Sequence, residues 1–451
     1  MLYAEVLVAE IGSTTTVVNA FTDLDTAEPR WLGQGQAPTS VKLGDVTIGL
    51  KQAILDFESR AGQNLQWDAM LACSSAAGGL RMSVHGLVLD MTVRAAREAA
   101  LGAGAVVSMV TAGELTAADI TALKQLRPNI ILLAGGVDYG DTATILTNAR
   151  QLAAAKLSAP IVYAGNRAAA NEFKAIMQVA GLPHYVVANV YPAIDELNVE
   201  PTRQVIQQVF AEHIVFAPGM ERIRQMVTGS IMPTPGAVLA ATELLYTAIG
   251  DLLVIDVGGA TTDVHSVTPG SDATRRLLLH PEPLAKRTVE GDLGVFINAG
   301  HVVESIGAAN LSQRLSIDVA SLLAGWEAMP TSATHLQFLQ ALTEAAAGIA
   351  LERHAGRLKQ LYGPQGQVTI ASGKDLGNVR YVIGTGGPLT KLPNGKQLLR
   401  TLLHRPRRGM LLPPTTAEVL IDRHYNLAAL GVLANLFPDA ALQLMYQSLG
   451  I

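Results

Sequence analysis

The chain has 451 residues, too many for one ordinary hydrophobic core, so we expect two or three domains. A net charge of −5 and an aromatic content of only 5% argue against nucleic acid or an anionic membrane as partner. A single cysteine, Cys73, excludes a disulfide framework, and no apolar run approaches the length needed to span a bilayer. These features predict a cytoplasmic protein.

Strand-like and helix-like segments alternate through the first half of the chain. The predicted strands are Ala4–Glu10, Thr15–Phe21, Ala69–Ala72, Ile130–Leu133, Ile161–Tyr163 and Tyr185–Val187. The predicted helices are Asp45–Ala61, Leu89–Gly102, Thr116–Leu126, Asp141–Lys156 and Arg167–Ala180. Strands separated by helices of this length predict an α/β fold with a largely parallel sheet.

The second half repeats this alternation more loosely, after a proline-rich stretch at Pro183–Pro235. Its predicted elements are a helix at Gly236–Ile249, a helical region at Ala299–Tyr362, strands at Val368–Ala371 and Tyr381–Gly384, and an apolar helix at Ile421–Leu436. We therefore expect a first α/β domain at residues 1–190, a connecting region at 191–249 and a second α/β domain at 250–451.

One motif occurs twice, at Val8–Val18 and again at Val254–Val264. Each copy is an apolar strand, an acidic residue, a turn of glycine and hydroxyl residues, and a second apolar strand. Glu10 occupies the place of Asp256, and the remaining matches keep the same offset of 246 residues (10 to 256). Two such hairpins predict a duplicated fold that closes on one nucleotide.

The turns of both copies have the residue types of a phosphate site. Glycine lets backbone N–H groups approach an oxyanion without an intervening Cβ, and hydroxyl groups add further donors. The predicted phosphate-binding residues are Gly12, Ser13, Thr14, Thr15, Gly258, Gly259, Thr261 and Thr262. A tight glycine hairpin with solvated neighbours would explain either copy alone, but the duplication favours binding.

The second copy also carries two carboxylates, Asp256 and Asp263, which are predicted to be catalytic. Carboxylates repel phosphate unless Mg²⁺ lies between them, usually held through water. Asp263 could instead orient an attacking water. The first copy has no counterpart of Asp263, so hydrolytic chemistry is expected at the second.

Three further segments are candidates for ligand contacts. Gly384-Thr385-Gly386-Gly387 presents a flat backbone surface suited to adenosine, and Ile131–Gly136 looks like its echo in the first half. Ala72–Arg81 is a glycine-rich strand end of the kind at which α/β folds bind ligands. In Arg287–Gly294, Glu290 and Asp292 could either approach a metal or form a solvated turn.

The order and separation of these motifs resemble the two phosphate motifs and the adenosine motif of the actin, Hsp70 chaperone and sugar kinase superfamily. That resemblance implies two ribonuclease H-like α/β domains with ATP and Mg²⁺ in the cleft between them. It also implies metal-linked roles for Asp256 and Glu10. The superfamily usually has aspartate where this chain has Glu10.

The whole chain further resembles the MutL family associated with glutamate mutase, which is unrelated to the mismatch-repair protein of that name. The resemblance is carried by Glu10–Phe21, Ala72–Arg81, Ile131–Tyr139, Arg287–Gly294 and Ile421–Leu430. It implies an ATP-dependent, chaperone-like reactivating factor whose partner is an adenosylcobalamin-dependent mutase or aminomutase.

Two other functions stay open from the residues alone. A small-molecule kinase or an ATP-dependent amidohydrolase could use the same fold, although no further motif provides a substrate base. A non-hydrolysing actin-like scaffold is the other, and the formation of homo-oligomers is left open as well.

Overall fold

The computed structural model describes residues 1–76, 80–214, 219–328, 330–363, 366–405 and 407–451. The first sheet begins with three antiparallel strands and a fourth that lies parallel to the first. These elements are β1 (Leu2–Ile11), β2 (Thr15–Thr22), β3 (Arg30–Pro38), helix α1 (Val46–Ala61) and β4 (Leu65–Ser74). The inner residues of β1 and β2 are almost all buried, so this sheet has helices or other sheet elements on both faces.

A second α/β unit is inserted after β4, and we call β5 to α6 the inserted unit. Its strands are all parallel and lie in the order β6-β5-β7-β8-β9. The strands are β5 (Leu80–Gly86), β6 (Ala105–Ala112), β7 (Ile130–Leu133), β8 (Ile161–Tyr163) and β9 (His184–Val186). The helices are α2 (Arg94–Gly102), α3 (Ala117–Leu126), α4 (Ala143–Ala155), α5 (Ala170–Ala180) and α6 (Glu200–His213).

The chain then returns to the first sheet through β10 (Ile231–Pro233), which pairs parallel with β4. The first sheet therefore has the order β3-β2-β1-β4-β10, and we call it with α1 the first lobe. The segment 191–249, expected to connect the domains, contains α6, β10 and α7 (Thr234–Ile249). Within it, β10 is a structural strand of the first lobe.

The second lobe repeats this sheet. Its order is β13-β12-β11-β16-β17, with the first three strands antiparallel and the last two parallel to β11. The strands are β11 (Leu252–Val257), β12 (Thr262–Val267), β13 (Ala285–Glu290), β14 (Arg357–Gly363), β15 (Gly366–Ser372), β16 (Tyr381–Thr385) and β17 (Glu418–Ile421), of which β14 and β15 form a separate hairpin. Because order and direction match strand for strand, the duplication extends from the hairpin to the whole sheet, and the predicted pair of ribonuclease H-like α/β domains is confirmed.

The helices of the second half pack on this sheet or in the core between the lobes. They are α8 (Asp272–Arg275), α9 (Ala299–Ile306), α10 (Ala308–Leu315), α11 (Val319–Ala324), α12 (Ala333–His354), α13 (Gly387–Lys391), α14 (Gly395–Leu403), α15 (Leu427–Leu433) and α16 (Pro438–Leu449). No helix among the described residues is both long and apolar enough to cross a membrane.

Three sequence predictions are wrong in detail. Gly135 and Gly136 follow β7 of the inserted unit, so they are not the duplicate of the glycines after β16; the counterpart of β16 is β4. The predicted helix over Ile421–Leu436 is instead the end of β17 followed by α15. An apolar strand followed by two glycines is a local pattern, which does not tell which sheet the strand joins. The predicted helical region Ala299–Tyr362 ends at His354, and Arg357–Gly363 is strand β14. Short apolar segments carry no period that separates a strand from a helix.

The lobes share an apolar core. It joins Val8 and Leu71 of the first lobe to Val254 and Ile383 of the second, with α7, α15 and α16 around them. Cys73 is fully buried here as a free thiol, as expected for a structural cysteine.

Candidate functional site

The two hairpin turns have the same geometry. The Gly12 N–H donates to the Thr15 carbonyl at 3.0 Å, and the Gly258 N–H donates to the Thr261 carbonyl at 2.9 Å. The turns also face one another closely, because a Cβ added to Gly259 would lie 3.4 Å from the Thr14 hydroxyl. The duplicated motif thus forms two opposed, equivalent turns.

Both turns line one cleft of about 610 Å³ between the lobes. The predicted site residues that line it are Glu10, Gly12, Ser13, Thr14, Thr15, Asp256, Gly258, Gly259, Thr261, Asp263 and Gly387. A cavity of this size is typical of a site for a small organic ligand. Residues from positions 10 to 387 of the sequence therefore converge on one place.

Four predicted site residues do not line the cleft. The Thr262 hydroxyl is buried and donates to the Leu293 carbonyl at 2.7 Å. Gly384 lies within β16, where a Cβ would meet the side chains of Leu399 and Ile421 at 2.7 and 2.9 Å. Thr385 and Gly386 are the other two, and they contact carboxylates of the site instead.

Gly386 and Thr385 position two carboxylates, Asp256 and Asp422. Gly386 has φ +88, and a Cβ there would lie 2.6 Å from Asp256 Oδ1, so glycine leaves room for that carboxylate. The Thr385 hydroxyl donates at 2.8 Å to Asp422 Oδ2, a fully buried carboxylate that follows β17. Asp422 was not predicted from the sequence, because it lies inside the segment that was taken as a helix.

The carboxylates at the base of the cleft carry unbalanced negative charge. Burial, and then repulsion from Asp422, raises the pKa of Glu10 to about 7. The pKa of Asp256 is raised well above its ordinary value by burial and then by repulsion from Asp263 and Glu10. Neither of these two carboxylates receives a hydrogen bond or an ion pair from the described part of the chain. Lys391 is the one lysine or arginine among the described lining residues.

This charge distribution fits a bound divalent cation. Oxygen ligands are those that Mg²⁺ prefers, and it usually takes one or two carboxylates together with waters and phosphate oxygens. Across the described ranges, no group of three or more His, Cys, Asp or Glu side chains is close enough to enclose a metal by itself. Glu10 and Asp256 therefore suit a cation that is shared with a ligand rather than one held in a protein cage.

Asp263 differs from the other two because it is neutralised by a buried arginine. Arg287, which is 1% exposed, donates through Nε at 2.8 Å and contacts the same Asp263 oxygen through Nη2 at 2.6 Å. The other Asp263 oxygen accepts from the Thr261 hydroxyl at 3.0 Å. A carboxylate fixed at both oxygens can hold a water in a defined orientation. In the first hairpin Val17 occupies the equivalent position, opposite Glu10 in the strand register.

The remaining polar candidates lie elsewhere or only partly at the cleft. Glu290 and Asp292 both accept from Arg353, at 2.6 and 2.8 Å, and neither lines the cleft. This arrangement supports the turn rather than the metal alternative for that segment. In the Ala72–Arg81 segment, Ser75 lines the cleft, whereas residues 77–79 are outside the described residues.

One wall of the cleft is apolar. It is lined by Val295, Phe296, Trp326, Leu336, Leu339 and Leu392. The Trp326 indole N–H donates to the Val295 carbonyl at 2.8 Å, and its ring meets Phe338 edge to face. The sequence carries no motif for this wall, since its residues come from loops and helices with ordinary apolar patterns. This wall adjoins the second turn, because the Val295 and Phe296 N–H groups donate to the Gly258 and Gly259 carbonyls at 3.1 and 2.9 Å.

Comparison with known proteins assigns the chain to a family. The model of the MutL protein family matches residues 6–449. The chain belongs to the MutL family. A relative, Protein MutL of Clostridium tetanomorphum, is 38% identical over 455 residues, covering 97% of this chain and 98% of that protein. The family resemblance seen in the sequence motifs is thereby confirmed.

Solved structures are only distantly similar to this MutL-family chain. The diol dehydratase-reactivating factor in nucleotide-free form is 12% identical with a TM-score of 0.38, covering 97% of this chain and 100% of that one. The ethanolamine utilization protein EutJ from Carboxydothermus hydrogenoformans is 10% identical with a TM-score of 0.28, covering 97% and 88%. At these scores the similarity carries no structural or functional argument.

The buried Glu10 gives a prediction about pH. A carboxyl pKa raised from 4.5 to about 7 means that the folded state binds this proton more tightly than the unfolded state does. The corresponding stability is present at low pH and is lost as pH rises from about 4.5 through 7. Glu10→Gln should therefore stabilise the metal-free protein at pH 8 by up to about 3 kcal/mol and have little effect at pH 5. Urea unfolding at both pH values measures this.

The control is Glu28→Gln, since Glu28 is exposed. It should change stability at neither pH. A Glu10→Gln protein that is less stable than the parent at pH 8 without metal would contradict the charge imbalance described above.

Proposed function

We propose that the chain binds Mg·ATP in the cleft, hydrolyses it slowly, and acts as a chaperone-like reactivating factor for an adenosylcobalamin-dependent mutase such as glutamate mutase. One observation carries the nucleotide part of this proposal: two equivalent glycine–hydroxyl turns face each other across one cleft, beside the Glu10 and Asp256 carboxylates, which pair with no cation among the described residues. Membership of the MutL family, and the role that the family resemblance implies, support the partner.

The two turns would hold the phosphates. The backbone N–H groups and hydroxyls of Ser13–Thr15 and of Gly258–Thr261 offer donors from both lobes to one phosphate chain. Bound Mg²⁺ would supply positive charge that offsets both the phosphates and the carboxylates of Glu10 and Asp256. Asp263, held by Arg287, would orient the attacking water towards the terminal phosphate.

The nucleobase would lie against the apolar wall of the cleft, which includes Trp326 and Leu392. The hydroxyl and N–H donors of the two turns suit the phosphates, whereas an apolar aromatic surface suits a base. Base–aromatic contacts are worth about 1–3 kcal/mol per base.

Trp326→Ala should therefore weaken ATP binding about 10- to 100-fold, while inorganic triphosphate binding changes little. Equilibrium titration with each ligand measures the two affinities. The control is Trp67→Phe in β4, which does not line the cleft. Equal losses for ATP and for triphosphate would place the base elsewhere.

Donors to the phosphates come from both lobes, so ATP and ADP should favour different degrees of lobe closure. A partner protein that binds one of these closure states more tightly is then bound with different affinity before and after hydrolysis. A slow ATPase of this kind can bind an inactivated enzyme in one nucleotide state and dissociate from it in the other. The inactive cofactor would be released during that cycle.

The test is recovery of mutase activity. A cobalamin-inactivated glutamate mutase is incubated with fresh adenosylcobalamin, Mg²⁺, ATP and either the parent chain or Asp256→Asn. We expect mutase activity to recover with the parent chain and not with Asp256→Asn. ATP consumption that depends on a small metabolite, with no recovery of mutase, would contradict the proposal and favour a kinase or amidohydrolase.

A further inference from the structure

Arg287 joins the cleft to the inserted unit. Besides contacting Asp263, its Nη1 donates at 2.9 Å to the carbonyl of Leu101, near the end of α2, and at 2.9 Å to the carbonyl of Ala105, the first residue of β6. One fully buried guanidinium therefore holds a cleft carboxylate on one side and two backbone carbonyls of another unit on the other.

The same surface carries a second polar connection. Lys286, adjacent to Arg287 in β13, pairs with Glu98 of α2 at 3.2 Å and with Glu282 at 2.7 Å. Glu282 in turn pairs with Arg94 of α2. The contact between α2 and the second lobe is thus made largely by charges and hydrogen bonds.

The inserted unit meets the first lobe in a different way. Its residues Met82, Ile130 and Ile206 belong to the same apolar core as Leu7 and Leu50 of the first lobe. Apolar packing of this kind is non-directional and dense, whereas a hydrogen-bonded fork has a defined geometry that is either made or broken. The inserted unit is therefore fixed to one lobe and attached to the other through directional contacts.

We propose that Arg287 is a positioning residue that couples the nucleotide state of the cleft to the inserted unit. This inference rests on the proposed nucleotide function. A ligand that contacts Asp263 adds a restraint to a carboxylate that Arg287 and Thr261 already hold, and through the guanidinium it restrains the Leu101 and Ala105 carbonyls. Without the ligand these contacts open more often, and the α2–β6 connection is looser. The order of the α2–β6 connection in the inserted unit then depends on the nucleotide state of the cleft.

This role needs the planar guanidinium of arginine, which donates through three nitrogens, whereas lysine has one donor nitrogen. One ammonium cannot reproduce two contacts to Asp263 together with two carbonyl contacts on the opposite side. Arg287→Lys therefore keeps the charge but removes the simultaneous connection.

Hydrogen exchange of the full-length chain tests the coupling, and calorimetric titration measures nucleotide binding separately. In the parent, Mg·ATP should slow the exchange of backbone amides in residues 94–112 by about tenfold. In Arg287→Lys this slowing should fall below about twofold, although the titration still shows nucleotide binding. The matched control is Arg353→Lys, an arginine whose ion-pair partners, Glu290 and Asp292, both belong to the second lobe.

The possible outcomes are separable. Nucleotide binding with unchanged exchange in the parent, or slowing that persists in Arg287→Lys, overturns the coupling alone. A parent that binds no nucleotide overturns the proposed function and the coupling with it. If Arg287→Lys does not fold, Asp263→Asn decides, since it weakens the same connection from the cleft side and should reduce the slowing in the same way.

Discussion

Asp256→Asn is expected to lower the rate of ATP hydrolysis at saturating Mg·ATP by about 100-fold or more. Asn has the shape of Asp but cannot supply the negative charge that this site offers to a metal ion. Because the pKa of Asp256 is raised by burial and by the neighbouring carboxylates, the same change should not destabilise the metal-free fold. Phosphate release and urea unfolding measure the two effects.

The control for this prediction is Asp25→Asn. Asp25 is exposed in the turn after β2, and its replacement should leave both the rate and the stability unchanged. An Asp256→Asn protein that hydrolyses ATP at the parental rate would contradict the metal role assigned to this residue.

Gly431→Ala is expected to destabilise the protein by about 3 kcal/mol or more. Gly431 lies in α15, where every residue is buried and the helix crosses α7. A Cβ at this position would lie 1.9 Å from the Ala237 carbonyl oxygen and 2.7 Å from its carbon, so the obstacle is backbone rather than a movable side chain. The two helices would have to separate within the core that the lobes share. Urea unfolding measures the loss.

Gly300→Ala in α9 is the matched control, because a Cβ there meets nothing within 4 Å. Gly300 is exposed in the first turn of α9, so this change should alter stability by less than about 1 kcal/mol. Similar stability changes in the two variants would mean that α7 and α15 are not in close contact in solution.

The duplication could be predicted from the sequence because each copy is a short, contiguous motif. The turns at Gly12 and Gly258 repeat acidic, glycine and hydroxyl residues at a fixed offset, and these are the residues that line the cleft. Long strands such as β1 and β2 have clear apolar patterns. Strand β10 has only three residues and β3 carries two glycines and two glutamines, so neither shows the pattern of a strand, although each completes a sheet.

The parts of the site that the sequence did not predict depend on tertiary contacts. Arg287 lies 24 residues from Asp263, its ion-pair partner, and its carbonyl contacts belong to a different unit. Trp326 and Asp422 come from a helical region and from the end of β17, and neither has a motif. Such residues acquire a role only when the lobes pack together.

The central claim is that the two opposed turns form one phosphate site between the lobes. Calorimetric titration of the full chain with ATP and with AMP, each in the presence and absence of Mg²⁺, tests it most directly. We predict one ATP bound per chain, with affinity at least tenfold higher in Mg²⁺ than without it, and AMP bound far more weakly than ATP. Equal affinities for AMP and ATP, or ATP binding that Mg²⁺ leaves unchanged, would contradict the claim.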